Sequence, residues 1–226
     1  MARLDPDGGT IAFLQEELEE IYGVRAPRVG GFLLGREVAR AAGAEPRAPE
    51  VLLVLEEEGA LSVGLYIDEA VLAAARATDP HHPRPKLTAR AVLSPLACAA
   101  EGVSHFVYLA TRAEAGRPVS LLELEVQAEV DKFALLLLHL WRRGLRRLSP
   151  ALRRRLFERV GYRSHLDPEA LQRYRTANRL GRGYARWLEG RFVEEADVEG
   201  LLRELRRSYR LGGGEKLGYL GARAFH

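Results

Sequence analysis

Residues 120–143 read Ser-Leu-Leu-Glu-Leu-Glu-Val-Gln-Ala-Glu-Val-Asp-Lys-Phe-Ala-Leu-Leu-Leu-Leu-His-Leu-Trp-Arg-Arg. The segment opens as a capping box, because Ser120 at an N-cap position is followed three residues later by Glu123. Its later part, residues 133–141, is apolar nearly all round except for His139. A helix of this kind buries more than one side, so we expect it to lie at the centre of the fold.

A second long helix is predicted directly before this one. Ser94-Pro95 is typical of an N-cap followed by proline at the first helical position, and Gly116 supplies a stop, which predicts a helix near 95–115. The short connection between the two makes them antiparallel neighbours. We refer to them as the central helical pair.

The flanking sequence predicts a hairpin before the pair and further helices after it. Alternation of Leu61, Val63, Leu65 and Ile67 with smaller or polar residues is typical of a strand and predicts a hairpin over 50–67. Helices are also predicted near 10–22, 68–76, 150–160, 168–190, 197–210 and 215–221, with a mixed strand–helix segment at 29–40 and a proline-rich loop at 78–87. The predicted fold class is α+β and predominantly helical, with an N-terminal β-hairpin and helices, a central antiparallel helix pair and a C-terminal basic helical region.

Charge is divided unevenly along the chain. Residues 1–140 carry 13 basic and 21 acidic side chains, a net charge of −8, whereas residues 141–226 carry 21 basic and 10 acidic side chains, a net charge of +11. We therefore distinguish an acidic α+β region, 1–144, from an Arg-rich helical region, 145–226, that packs on it. Either the two regions attract each other, or the basic region meets an anionic partner, an acidic protein or nucleic acid. The internal attraction is favoured, because acidic and basic helices often pack together.

Composition excludes several classes of protein. A single cysteine, Cys98, rules out an internal disulfide and any zinc site made of several cysteines. No apolar run is long enough to span a bilayer, so no membrane association is expected, and the first residues lack the apolar core of a secretory signal. We expect a cytoplasmic protein.

The central helical pair carries a group of residues capable of chemistry. At 100° per residue, Glu101 and His105 share one face of the first helix, and Glu125 and Glu129 share a stripe of the second. Carboxylates and an imidazole projecting between two helices can bind a divalent metal, with Glu101, His105 and Glu129 as ligands. All four residues can instead supply a catalytic acid and base, because crowded carboxylates in apolar surroundings raise each other's pKa values.

A purely structural interpretation of the same residues stays open. Glu101–His105 and Tyr108–Arg112 have the i,i+4 spacing of pairs on a solvated helix face. Glu129 and Lys132 can form a local ion pair, and Glu125 can pair with an arginine of the basic region. Glu123, Gln127 and Asp131 form a second polar row on the other side of the helix.

Known sequence motifs for metal or phosphate binding do not fit. Glu101 and His105 are four residues apart, which matches neither His-Glu-x-x-His nor the Glu-x-x-His of di-iron proteins. The glycine run at 212–216 ends in Glu-Lys and lacks the Gly-Lys-Ser/Thr ending of a P-loop, so a flexible hinge is expected there.

The predicted helix near 168–190 is the candidate for binding an anionic partner. Its arginines recur at helical spacing and are interleaved with aromatic residues, as in many nucleic-acid-binding surfaces. The alternative is an ordinary amphipathic helix whose arginines simply face water. The candidate residues are Arg175, Arg179, Arg182 and Arg186.

Overall fold

The computed structural model describes residues 9–45, 48–57, 60–76, 90–158, 160–162 and 166–225. Over these residues the chain is mostly helical and holds one two-stranded antiparallel sheet, which confirms the predicted α+β fold class. The predicted proline-rich loop at 78–87 lies outside the described residues. Among the described helices, none combines the length and the apolarity that a bilayer span requires.

The described helices and strands follow the order predicted from the sequence. They are α1 (Thr10–Tyr22), a 3₁₀ turn (Val29–Phe32), α2 (Arg36–Ala41), β1 (Glu50–Glu57), β2 (Ala60–Ile67), α3 (Glu69–Arg76), α4 (Arg90–Glu114), α5 (Leu121–Arg142), a second 3₁₀ turn (Arg146–Leu148), α6 (Ser149–Phe157), α7 (Pro168–Leu188), a π-helical turn (Glu189–Val193), α8 (Val198–Arg210) and α9 (Gly213–Ala224). Two predicted N-caps are confirmed, since Ser120 accepts from the amide of Glu123 at 3.2 Å and Asp167 accepts from the amide of Ala170 at 2.8 Å.

Two predicted boundaries are wrong. Helix α4 begins at Arg90, so Pro95 lies inside it and removes one helical hydrogen bond instead of starting the helix. The glycine run predicted as a hinge is the start of α9, where Gly213 adopts a positive φ of 54° that favours glycine. The C-terminal segment is therefore an ordered helix.

Helix α5 lies at the centre of the core, as its apolar sequence predicts. It packs against α4 on one side and against α6 and α7 on another. The larger of two apolar cores among the described residues contains buried side chains from both charge regions, from Leu14 of α1 to Leu220 of α9. The division of the chain near residue 144 stays a prediction, because the core itself continues across it.

The hairpin packs on α4 through a glycine. Glu50 pairs with Ile67 in the antiparallel register, and this face of the hairpin turns toward α4. A Cβ atom at Gly102 of α4 would lie 3.2 Å from Leu65 Cδ1 and 3.3 Å from Glu50 Oε2. The absence of a side chain at Gly102 thus brings the carboxylate of Glu50 close to the central helical pair.

Two glycines of α7 allow its neighbours to approach closely. A Cβ atom at Gly181 would lie 2.7 Å from the Cβ of Glu129 on α5, and one at Gly183 would lie 2.4 Å from the Cβ of Ala224 on α9. Distances this short do not occur between real side chains, so the packing of α7 requires glycine at both positions.

Replacing Gly183 by Ala should destabilise the protein by about 1–3 kcal/mol, because the new methyl group must push α9 away from α7. Gly218→Ala is the matched control on α9, since a Cβ there meets no atom within 4 Å and alanine favours helix by about 1 kcal/mol. Chemical denaturation of both variants checks this. Equal stability of the two variants would contradict the close packing.

Candidate metal centre

The polar residues predicted on the central helical pair converge in the structure. Glu101, His105 and Glu125 each place one ligand atom so that the three atoms lie within 4.8 Å of one another. They come from facing sides of the antiparallel helices α4 and α5. His105 is only 6% exposed, so the interpretation of Glu101 and His105 as a pair on a solvated face is wrong.

His105 lies between two carboxylates without a hydrogen bond from Nε2. Its Nε2 is 3.5 Å from Glu125 Oε2, and its Nδ1 is 3.8 Å from Glu50 Oε2. Within the described residues, neither Nε2 of His105 nor Oε2 of Glu50 has a hydrogen-bond partner, although both atoms are buried. The contact with Glu125 is an ion pair longer than an ordinary hydrogen bond, so Nε2 can still take a closer partner.

Sequence reasoning missed Glu50. Its position at the start of β1 places it on the hairpin face that carries Leu52 and packs toward α4. An acid on the buried face of a predicted strand is the signal that could have identified it.

The site perturbs the pKa values of its own residues. Burial works to lower the pKa of His105, but contact with Glu125 and Glu50 outweighs burial and raises the pKa well above 6.5. Burial raises the pKa of Glu50, and the neighbouring His105 opposes that shift. His105 is therefore more readily protonated, and Glu50 less readily ionised, than the same side chains in water.

Lys132 of α5 supplies a positive charge at one edge of the site. Its Nζ lies 2.9 Å from Glu101 Oε2 and 3.2 Å from Glu129 Oε2, which confirms the predicted Glu129–Lys132 pair. Burial acts to lower the pKa of Lys132, but the two carboxylates raise it above its usual range. Among the described residues, Glu125 pairs with His105 and no arginine lies within ion-pair distance of it. Glu125 therefore occupies the place around His105 that the sequence-based ligand set gave to Glu129.

Four carboxylates surround one imidazole and one ammonium group in this site. Tyr174 of α7 closes another side: burial raises its pKa to about 12, with Glu125, Glu50 and Glu101 adding to the shift. The arrangement has an excess of negative charge in a buried place, which is the electrostatic condition for holding a cation.

Comparison with models of known protein families, with curated proteins and with solved structures finds no match to this chain. What the site does must follow from the chemistry of its own side chains. Three ligand atoms of mixed nitrogen and oxygen type, close together and buried, are able to coordinate a metal ion or to exchange a proton.

A second buried polar cluster occupies the opposite side of α4 and α5. Lys216 of α9 is completely buried, and its Nζ donates to Tyr108 Oη at 2.9 Å and to Gln127 Oε1. Sequence reasoning missed Lys216. The signals were its residue type, since only three of the 34 basic residues are lysine, and the unexplained polar row Glu123, Gln127 and Asp131 that it faces.

The polar row on α5 ties several helices together. Glu123 accepts from Tyr108 Oη and from the amide of Gly213 at 2.9 Å, which holds the first residue of α9. Arg112 donates to Tyr108 Oη at 2.7 Å and to the carbonyl of Tyr209 at 2.6 Å. Tyr108 and Arg112 are buried, so the prediction that they lie on a solvated face is wrong.

Asp131 is the second carboxylate of this cluster. It accepts from Ser104 Oγ at 2.6 Å, from Gln127 Nε2 at 2.6 Å and from Tyr22 Oη. Burial raises its pKa to about 6, and these hydrogen bonds together with the charge of Lys216 oppose that shift. All these partners lie within the protein, so the cluster joins α1, α4, α5 and α9.

Among the described residues, no ion pair joins an arginine of the Arg-rich region to a carboxylate of the acidic region. Arg142, at the end of α5, pairs with Glu17 and Glu20 inside the acidic region. The attraction between the two regions stays a prediction. On α7, the four candidate arginines are all exposed, and one of them pairs with Glu158 at 3.0 Å. The four are Arg175, Arg179, Arg182 and Arg186, of which Arg182 makes that pair.

Burial lowers the pKa of Lys216 to about 7, far below the 10.5 of an exposed lysine. Between these pH values the unfolded chain binds the proton more tightly, so stability should rise with pH by up to about 1.4 kcal/mol per unit. A Lys216→Met variant lacks this group. From pH 7 to pH 10, the unfolding free energy of the wild type should therefore rise relative to that of the variant. Urea unfolding at several pH values measures it; parallel curves for the two proteins would contradict the buried neutral lysine.

Proposed function

We propose that the protein binds a first-row transition-metal dication between α4 and α5, with Glu101, His105 and Glu125 as its ligands. The observation that carries the proposal is the buried His105 Nε2, which has no hydrogen-bond partner among the described residues and faces two carboxylates. Histidine is the commonest metal-binding side chain in proteins, and its neutral imidazole binds through Nε2 or Nδ1.

The spacing of the three ligand atoms supports a mononuclear site. Nitrogen and oxygen ligands lie 2.0–2.2 Å from a zinc-like ion, so two ligand atoms of a tetrahedral site are about 3.4 Å apart. His105 Nε2 and Glu125 Oε2 are already 3.5 Å apart, and the third ligand atom, within 4.8 Å of both, has to move by at most about 1.4 Å, which a change of side-chain rotamer allows. One nitrogen and two carboxylate oxygens favour zinc, iron, cobalt or manganese over calcium and magnesium, which prefer oxygen alone.

Glu50 is suited to orient the histidine. With Nε2 on the metal, Nδ1 carries the proton and points toward Glu50 Oε2, which is 3.8 Å away. A carboxylate behind a metal-bound imidazole fixes its tautomer and makes it a stronger ligand. If the imidazole and Glu50 move closer together, Nδ1 donates a hydrogen bond to Glu50 Oε2, a buried atom that lacks one among the described residues.

The remaining charged residues suit a catalytic metal site better than a purely structural one. Three protein ligands leave at least one coordination position for water or a substrate, as in catalytic zinc sites. Glu129 lies beside Lys132 at the edge of the site, and burial raises its pKa. Glu129 is thus placed as an acid or base beside a metal-bound group, which combines the two roles inferred for these four residues from the sequence.

Purified protein should bind one equivalent of Co²⁺ or Zn²⁺, and binding should raise its melting temperature because only the folded chain holds the three ligands together. His105→Gln should abolish both effects. Glu114→Gln is the control, since it makes a similar change at an exposed position of the same helix. Calorimetric titration and the visible absorption of bound Co²⁺ measure the result. Equal metal binding by the His105 and Glu114 variants would contradict the site.

The ligand set proposed from the structure contains Glu125, whereas the set predicted from the sequence contains Glu129 in its place. A pair of variants distinguishes the two sets. Glu125→Gln should weaken metal binding 10-fold or more, because it removes a ligand, whereas Glu129→Gln should weaken it only about 2-fold through lost negative charge. Both changes are isosteric and lie one turn apart on α5. Metal titration of the two variants decides the matter, and a larger loss in the Glu129 variant would return Glu129 to the ligand set.

A further inference from the structure

A basic groove runs over the surface of the C-terminal region, away from the candidate metal centre. It consists of two adjoining clefts that share Arg186 and Gly190. One cleft lies between α6, α7 and the second 3₁₀ turn; the other lies between α7, the π-helical turn and the end of α9. Besides Arg186, the charged and aromatic walls comprise Arg146, Arg147, Arg153, Glu189 and Glu194 in the first cleft, and Trp187, Arg191, Arg223 and Phe225 in the second.

Most of the positive charge in this groove is uncompensated. Arg153 is held by Glu189 at 2.6 Å, and Arg223 by Glu204 at 3.0 Å, so these two belong to the walls. For the other four arginines that line the groove, no carboxylate of the described residues lies within 4.0 Å. These are Arg146, Arg147, Arg186 and Arg191.

The charge continues along α7 beyond the groove. Arg175, Arg179 and Arg182 repeat from Arg186 at intervals of three or four residues, all exposed. At 1.5 Å per residue the row extends for about 16 Å. A row of this length fits a chain of several phosphates better than a single anion.

Gly190 joins the two clefts into one groove. It is exposed in the π-helical turn, and a Cβ atom there would meet nothing within 4 Å, so the passage above it is open. Turns of π-helix are rare and occur frequently at functional sites. The next turn contains Ala196 with a positive φ of 58°, a backbone conformation that is uncommon for alanine.

An exposed aromatic ring lies at the far end of the groove. Phe225 is 69% exposed, and the guanidinium of Arg179 lies 6.0 Å from the centre of its ring. An exposed ring beside arginines is the combination on which unpaired bases stack while phosphates contact the charges. An acidic peptide would use the charges but offers the ring a planar group only where it carries an aromatic residue, whereas every nucleotide carries one; a duplex keeps its bases stacked inside.

We propose that this groove binds single-stranded nucleic acid, with the phosphates on Arg146, Arg147, Arg186 and Arg191 and a base on Phe225. The proposal is independent of the metal centre, since none of these residues contacts Glu101, His105 or Glu125. Binding is not specific for sequence, because phosphate contacts and stacking are tolerant of the base.

Fluorescence anisotropy with a labelled 20-nucleotide poly(dT) strand tests the proposal on the full chain. Wild-type binding should weaken as salt rises, and Arg186→Gln should weaken it about 5- to 10-fold and reduce the slope of log K against log salt by about 0.7. Gly190→Leu should weaken it similarly by filling the passage without a clash. Arg203→Gln on α8, a 69% exposed arginine outside the groove, should change it less than 2-fold.

Circular dichroism and melting of each variant establish that it is folded. If the Gly190→Leu variant does not fold, the comparison of strand binding by the Arg186→Gln and Arg203→Gln variants tests the proposal alone. Equal loss in these two variants would overturn the proposal, because binding would then follow overall charge and not the groove. Displacement of the strand by poly-glutamate of equal length at equal concentration would overturn it as well, in favour of an acidic protein partner.

Discussion

Carboxylates buried between helices need compensating positive charge, and this requirement organises the centre of the protein. An unpaired buried charge costs several kcal/mol, so each acid of the central pair must find a cation or a proton. On one side of α4 and α5, the guanidinium of Arg112 and the amine of Lys216 join Glu123 and Asp131 in a continuous hydrogen-bond network. On the other side, Lys132 and His105 face a group of four carboxylates, and this excess of negative charge makes a bound dication the natural complement of the site. The four are Glu50, Glu101, Glu125 and Glu129.

The protein uses its two kinds of basic residue for different tasks. Only three of its 34 basic residues are lysine, and both of those that the structure describes, Lys132 and Lys216, lie in the buried clusters. A lysine can lose its proton when burial demands it, whereas arginine stays charged and presents a planar fork suited to phosphates. Arginine accordingly predominates on the surface of α7 and around the basic groove.

Much of the fold could be predicted from local patterns, because caps, prolines and apolar periodicity act within a few residues. The N-caps at Ser120 and Asp167 and the hairpin are confirmed on these grounds, whereas the carboxylate of Glu123 accepts from Tyr108 and Gly213. Convergence of Glu101, His105 and Glu125 also followed from helical periodicity and a short antiparallel connection. Contacts distant in sequence could not be predicted. Glu50 lies in the site because the hairpin packs on Gly102, and Lys216 lies in the second cluster because the glycine run predicted as a hinge begins a helix. Which glutamate joins His105 depends on side-chain rotamers, which periodicity does not specify.

Our main proposal for the protein is that a metal ion binds between α4 and α5 at His105. Diffraction from crystals grown with Co²⁺, recorded on both sides of the cobalt absorption edge, locates such an ion directly. We expect one strong anomalous peak about 2.1 Å from His105 Nε2. Carboxylate oxygens of Glu101 and Glu125 should lie in the coordination sphere of the ion, and Glu50 should accept a hydrogen bond from Nδ1. A map without a peak there, with His105 Nε2 donating directly to Glu125 in fully cobalt-saturated crystals, would contradict it and leave the cluster as a buried ion-pair network.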